Sequence, residues 1–409
     1  MSSTPAAATA APDRSALWRP RVAVVGLFLL TGLALATWVV NIPGVQERLG
    51  ISHGVLGGLL LLLGAGSVVA MQASGPLVDR VGSRPVAAVG AVLLVVGVLL
   101  PGLATVPWHL GAALFVLGLG NGAVDVAMNE QAVVVERAWG RPIMSSFHAF
   151  FSVGGALGAG LGAVLQAAGL ALLPTLAVGA VVVAVLALVS LPFVLTRSTG
   201  SADPAPENPA AVPTAPRPTG RLLALALMAF LLMLAEGTAN DWSALQAVED
   251  LGRSAASASL AYAAFAVAMT AGRFAADPVA HRFGPVSVVR VGSALAAVGM
   301  LVVVLSPTAG GFPLTLPGWV VFGLGLSGIV PQIFTAAGNL GVANPGVTIS
   351  RVVSAGYVGL LAGPAVIGWL AGGVGLTTAL VLPLVFCGVG IALAGAVAPR
   401  AADRGGVVG

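Results

Sequence analysis

Asn121, Asp125 and Asn129 stand four residues apart inside an apolar run, a spacing that sets all three along one face of a helix. A second run carries Glu236, Asn240 and Ser243, again on one face. A carboxylate at the centre of a membrane-spanning helix costs at least about 2.5–3.5 kcal/mol on insertion scales. Asp125 and Glu236 must therefore be neutral, paired or hydrated, and carrying a proton or contacting a polar solute are reasons to keep them. His148 lies near the end of its own run at a depth similar to Asn129 and Glu130, where an imidazole could exchange a proton near neutral pH. Further polar stripes are Gln332, Thr335 and Asn339, then Ser350, Ser354 and Tyr357, then Thr37, Trp38 and Asn41. Trp38 and Tyr357 could stack on a sugar-like or aromatic solute. Each of these groups also has a plainer reading, because polar residues in such helices often hydrogen-bond between helices.

The elements that position these residues follow from composition. The chain has 409 residues, of which 58% are hydrophobic and only 8% charged, and its mean hydropathy is +1.02. Soluble domains average about 25% charged residues, so this chain belongs in a bilayer. Apolar runs long enough to cross it recur at about 22–41, 55–74, 85–104, 111–134, 143–165, 172–195, 222–245, 257–276, 286–306, 319–339, 350–371 and 377–396. Each must be a helix, because the lipid core offers backbone groups no water. The expected fold is an all-α membrane protein with twelve transmembrane helices in two pseudo-symmetric six-helix bundles. The halves span 21–196 and 221–397, joined by a polar, Pro-rich linker at 197–220 and flanked by tails at 1–20 and 398–409. Gly118-Leu119-Gly120 recurs as Gly323-Leu324-Gly325, and Gly154 with Gly158 as Gly359 with Gly363, which suits an internal repeat.

The basic residues are all arginine and are scattered through tails and short loops, so the pI of 10.5 reports topology and no nucleic-acid partner is expected. Most fall on one side of the drawn spans, which by the positive-inside rule places both termini and the linker in the cytoplasm. The first run lacks a cleavage pattern and is expected to stay as a helix. Cys387 is the one cysteine, so disulfides and cysteine metal sites are not expected. No phosphate loop is present, no cofactor is implied, and Ser152 with His148 lacks a third catalytic partner, so an enzyme is not expected. Energy must come from a gradient.

Between the second and third runs lies Gly75-Pro76-Leu77-Val78-Asp79-Arg80-Val81-Gly82-Ser83-Arg84-Pro85. This segment resembles the signature loop of the major facilitator superfamily. The resemblance implies that Asp79 faces the start of the eleventh helix, where the helix dipole and Arg351 favour an anion. Gly75 and Gly82 would allow close approach and a tight turn, and Arg80 and Arg84 would join a charge network; separately, Glu130 lies off the Asn121 face and is expected to belong to the inner gate with Arg137 or Arg141. In the corresponding segment Asp277-Pro278-Val279-Ala280-His281-Arg282-Phe283-Gly284, His281 falls where Asp79 stands, so the second half is expected to lack the latch. Gly272-Arg273 is expected to be a helix-end anchor. Asn129-Glu130-Gln131, Gly140-Arg141-Pro142 to His148, and Glu236-Gly237 with Asp241-Trp242 resemble a poorly characterised bacterial branch similar to fucose-permease-like transporters.

These features predict a monomeric secondary transporter of a bacterial cytoplasmic membrane, moving a small polar or amphipathic solute by alternating access. Protons are the expected coupling ion, with sodium as an alternative because carboxylates and amides also bind it. Proton-driven efflux of a drug-like compound is a second reading, and a non-transporting membrane sensor or scaffold is a third.

Overall fold

Proline marks where two of the long helices are interrupted. The computed structural model describes residues 14–196, 219–341 and 344–399. The expectations for the outer parts of both tails and for most of the linker lie outside these residues.

The helices of the first half are α1 (Arg14–Leu49), α2 (His53–Val81), α3 (Ser83–Leu103), α4 (Pro107–Trp139), α5 (Met144–Ala167) and α6 (Leu172–Ser190). Those of the second are α7 (Thr219–Glu249), α8 (Ala255–Phe283), α9 (Pro285–Ala309), α10 (Phe312–Leu326), α11 (Ile329–Gly338), α12 (Pro345–Val374), α13 (Leu376–Ala379) and α14 (Val381–Leu393). Eleven described segments are apolar and long enough to cross a membrane, and α10 with α11 counts as one of them. The 29-residue α8 carries Arg273 and Asp277 and completes twelve spans. The tenth and twelfth spans break where Pro331 and Pro383, which have no N–H, leave a carbonyl one turn earlier without its helical donor. The signature segment is not a loop: α2 stays helical to Val81, and only Gly82, at φ +86°, turns the chain into α3. Likewise α8 runs through Asp277-Pro278 to Phe283.

The two halves pack alike. In the first, α1 contacts α5 and α6, α4 contacts α2 and α3, and α3 contacts α6. In the second, α7 contacts α12 and α14, α10 contacts α8 and α9, and α9 contacts α14. The repeated glycines make these contacts. A Cβ on Gly118 would strike the Leu63 carbonyl of α2, and one on Gly323 the Phe265 carbonyl of α8. Gly120 and Gly325 likewise sit against Leu94 of α3 and Ala296 of α9, and Gly154 and Gly359 against Leu29 of α1 and Phe230 of α7. Small residues at these points let helix backbones approach in a medium that supplies no hydrophobic drive between helices. Outward faces expose large apolar side chains such as Leu188 at 72% and Trp369 at 81%, as lipid contact requires.

The halves meet along α2 with α12 and α5 with α8, and α4 and α5 also touch α11.

Candidate transport site

The central polar side chains converge from both halves. Asp125 of α4 is 4% exposed and lies about 21 Å along the helix axis from Trp139. The Tyr357 hydroxyl of α12 donates to its Oδ1 at 3.2 Å, while Oδ2 has no partner. One step away, Asn121 donates to Ser67 Oγ at 3.2 Å and keeps Oδ1 free. Asn129 donates to the Asp125 backbone carbonyl at 2.9 Å, and its Oδ1 too is unpartnered. The face read from the four-residue spacing is therefore a wall with unused acceptors.

Glu236 of α7 has a partner that the sequence did not suggest. Arg273, expected to be an anchor at the end of α8, is instead 8% exposed and about 15 Å of helix from Phe283. The anchor expectation is corrected: its Nη2 meets Glu236 Oε1 at 3.1 Å, and its Nη1 donates to Ser152 Oγ of α5 at 2.8 Å. Drawing α8 to end near residue 276 put Arg273 at the rim; the longer helix puts it inside. Glu236 also acts electrostatically on Tyr357, which links the pair to Asp125. One cluster thus runs from α4 through α12, α7 and α8 to α5.

His148 joins this cluster through packing. Its ring packs tilted against Phe28 at 4.9 Å and Phe334 at 5.8 Å, Nε2 has no partner, and Arg273 lies within electrostatic reach of it. No carboxylate pairs with it among the described residues. The other sequence candidates divide. Gln332 is buried with Nε2 unpartnered. Asn240 is exposed. Trp38 is 1% exposed within the core. Asn41 is buried between helices, donating to the Thr37 carbonyl and accepting from Gln166 of α5 at 3.1 Å, which is glue within the first half.

At the loop end, Asp79 lies where the resemblance implied. Its carboxylate accepts from the N–H groups of Gly346 and Val347 at 2.8 and 3.0 Å, at the start of α12. Arg351 is exposed, and no ion pair joins it to Asp79 among the described residues. A Cβ on Gly75 would come within 2.7 Å of Ser350 Cβ, so the close approach is real. Arg80 is exposed and Arg84 half-buried.

One gate expectation is corrected. The second half does have a corresponding carboxylate: Asp277, one turn deeper than His281, accepts from the N–H groups of Ser145 and Ser146 of α5 at 2.8 and 2.7 Å. Aligning the two segments by their terminal glycines hid it, because Asp277 takes the register of Gly75, not of Asp79. Glu130 makes its hydrogen bonds within the first half: its Oε2 accepts from Gln131, which also binds Ser83 and the Leu195 backbone, and Arg137 lies within electrostatic reach of it. The crossing is made by its neighbours. Glu136 accepts from Thr335 of α11 at 2.7 Å while also holding the N–H groups of Ile143 and Met144, and Arg137 donates to Asn339 and to the Gly338 carbonyl. Every hydrogen bond between halves among the described residues lies between the central cluster and the loop end, so this state is closed there.

The family model of the Major Facilitator Superfamily matches residues 22–340. The chain belongs to this superfamily. It is 36% identical over 344 residues to an uncharacterised MFS-type transporter of Yersinia pestis, covering 84% of this chain and 87% of that one. Its fold matches a crystal structure of FucP in the outward conformation at TM-score 0.76 and 17% identity, covering 94% of this chain and 100% of the other. It also matches the proton:xylose symporter XylE bound to 6-bromo-6-deoxy-D-glucose at TM-score 0.73 and 13% identity, with 93% and 95% covered. As a membrane-embedded superfamily member, the chain is a secondary transporter.

Proposed function

We propose that this chain moves a small polar solute by alternating access and that protons drive it, with Asp125 as the proton site. The observation that carries the reading is the Asp125–Tyr357 contact at mid-membrane, a buried carboxylate joined to the opposite half by one hydroxyl and otherwise unpartnered. A protonated Asp125 and an ionised one need different surroundings, so gaining or losing a proton changes how α4 and α12 pair. Symport is favoured over efflux by the structural neighbour that is a proton:xylose symporter. The arginine-bearing loops support an orientation with the closed end and both termini on the cytoplasmic side of a bacterial inner membrane, and on this reading the carrier works as a monomer.

The test uses proteoliposomes and a panel of neutral and acidic small solutes, first ranked by thermal stabilisation of the purified protein. A solute that stabilises should accumulate when the outside is acidified. Asp125→Asn should abolish that accumulation while leaving solute exchange. Uphill accumulation by the variant would remove Asp125 as the proton site.

A further inference from the structure

The Arg273–Glu236 pair is built unlike a structural salt bridge. A guanidinium that only neutralises a carboxylate binds it best with two parallel N–H groups. Here the fork is divided: Nη2 takes one oxygen of Glu236, Nη1 reaches across to Ser152 of the other half, and Nε, fully buried, has no acceptor. Leaving a buried charged donor unmet is costly, and an ion pair at this depth adds no stability that apolar packing would not supply. The pair also stands at the wall of the cluster and is not sealed in a helix interface, its side chains being 10% and 17% exposed.

We propose that Arg273 recognises the solute, and that the solute carries a carboxylate which takes the place of Glu236 on the guanidinium. This rests on the transport reading above and adds the substrate class to it. The incoming carboxylate satisfies Nε and Nη2 together. Glu236 Oε1 takes a proton from the aqueous phase as its contact with Arg273 breaks, so one negative charge enters, one is neutralised, and the net charge of the site stays constant. The titratable and charged groups that face the pair are Tyr357 of α12, Tyr262 of α8, His148 of α5 beside Arg273, and Asp125 beyond Tyr357; Asp241 of α7 acts on Tyr262. Among these described neighbours Arg273 is the one cation that a carboxylate could meet at neutral pH.

The test measures binding in lipid nanodiscs by thermal unfolding, with formate, lactate, D-gluconate and D-glucuronate set against D-glucose and the methyl ester of D-glucuronate, at pH 5.5 and 7.5. At least one acid should stabilise the wild type, binding at least tenfold more tightly at pH 5.5 than at 7.5 and tenfold more tightly than its neutral counterpart. Glu236→Gln leaves Arg273 without its carboxylate, so it should be destabilised, be restored by acids including formate, and lose the pH dependence. The double variant Glu236→Gln with Arg273→Gln is a neutral pair still able to hydrogen-bond, and should fold yet lose all preference for acids. Asp125→Asn should keep that preference, so a failure of proton drive at Asp125 is distinguishable from a failure here. Equal binding of neutral counterparts, acid preference in the double variant, or no acid effect on either wild type or Glu236→Gln would overturn the proposal.

Discussion

Replacing Asp277 with Asn should open the loop end of the carrier more than the same change at Asp79. Both carboxylates accept two N–H groups from the first turn of a helix in the opposite half. Hydrogen bonds to a charged group contribute about 1.5–3 kcal/mol each, and the positive end of a helix dipole adds up to about 2 kcal/mol in a partly buried setting. Asn keeps one acceptor oxygen and loses the charge. The Asp277 side chain is only 6% exposed, so we expect a shift of about 2 kcal/mol, or close to 30-fold at 1.4 kcal/mol per factor of ten. Asp79 is exposed, and water screens its contacts to about 0.5–1 kcal/mol, a few-fold. The contacts exist only in the closed state, so the loss falls on the closed–open equilibrium. Spin labels on Arg141→Cys and Arg282→Cys, exposed positions in opposite halves, report that equilibrium by electron–electron distance measurement in a Cys387→Ser background. Unchanged populations in Asp277→Asn, or a larger shift in Asp79→Asn, would refute the reasoning.

Three further outcomes are expected. Tyr357→Phe removes the one hydrogen bond that ties Asp125 to the second half, so it should weaken uphill accumulation while leaving downhill exchange, read by flux with and without a pH gradient. His148→Gln should leave the pH profile of transport unchanged and lower the melting temperature, because the ring packs between Phe28 and Phe334; loss of pH dependence between about 5 and 8 would restore it as a proton carrier. Gly118→Ala should destabilise by about 1–3 kcal/mol, as expected where an added methyl forces backbones apart, and more than Gly323→Ala, whose new Cβ would have slightly more room; equal melting temperatures would contradict this.

Local spacing made the architecture readable but concealed the pairings. Twelve apolar runs, the glycine echo and the face shared by Asn121, Asp125 and Asn129 depend on helix period and on the length of a bilayer, both of which a sequence displays directly. Arg273 shows the limit. Its importance lies in Glu236 and Ser152, 37 and 121 residues away, and no local pattern encodes such a meeting. Helix ends misled in the same direction. The signature segment has Gly and Pro, which suggest a loop, yet α2 and α8 continue through Pro76 and Pro278 to Val81 and Phe283. That extension carries Asp277 into contact with α5. Matching the two segments by glycine position looked for Asp79's counterpart at His281, whereas the structural match is one turn away.

The start of α5 shows how a latch can hold and still release. All four backbone N–H groups from Ile143 to Ser146 are bound by carboxylates, two by Glu136 and two by Asp277. A helix end stripped of such partners inside a protein is strongly unfavourable. Under the proposed alternating access, Glu136, in the same half as α5, would travel with it, while Asp277, in the other half, would leave. Opening therefore exposes two N–H groups instead of four, and the Glu136 charge remains against the helix dipole while water reaches Ser145 and Ser146. Glu136 itself gives up only the Thr335 hydroxyl. The closed state is thus stabilised by contacts that are individually strong but only partly lost on opening, which would keep the two states of the proposed alternating-access cycle within the few kcal/mol that a bound proton or solute can reverse.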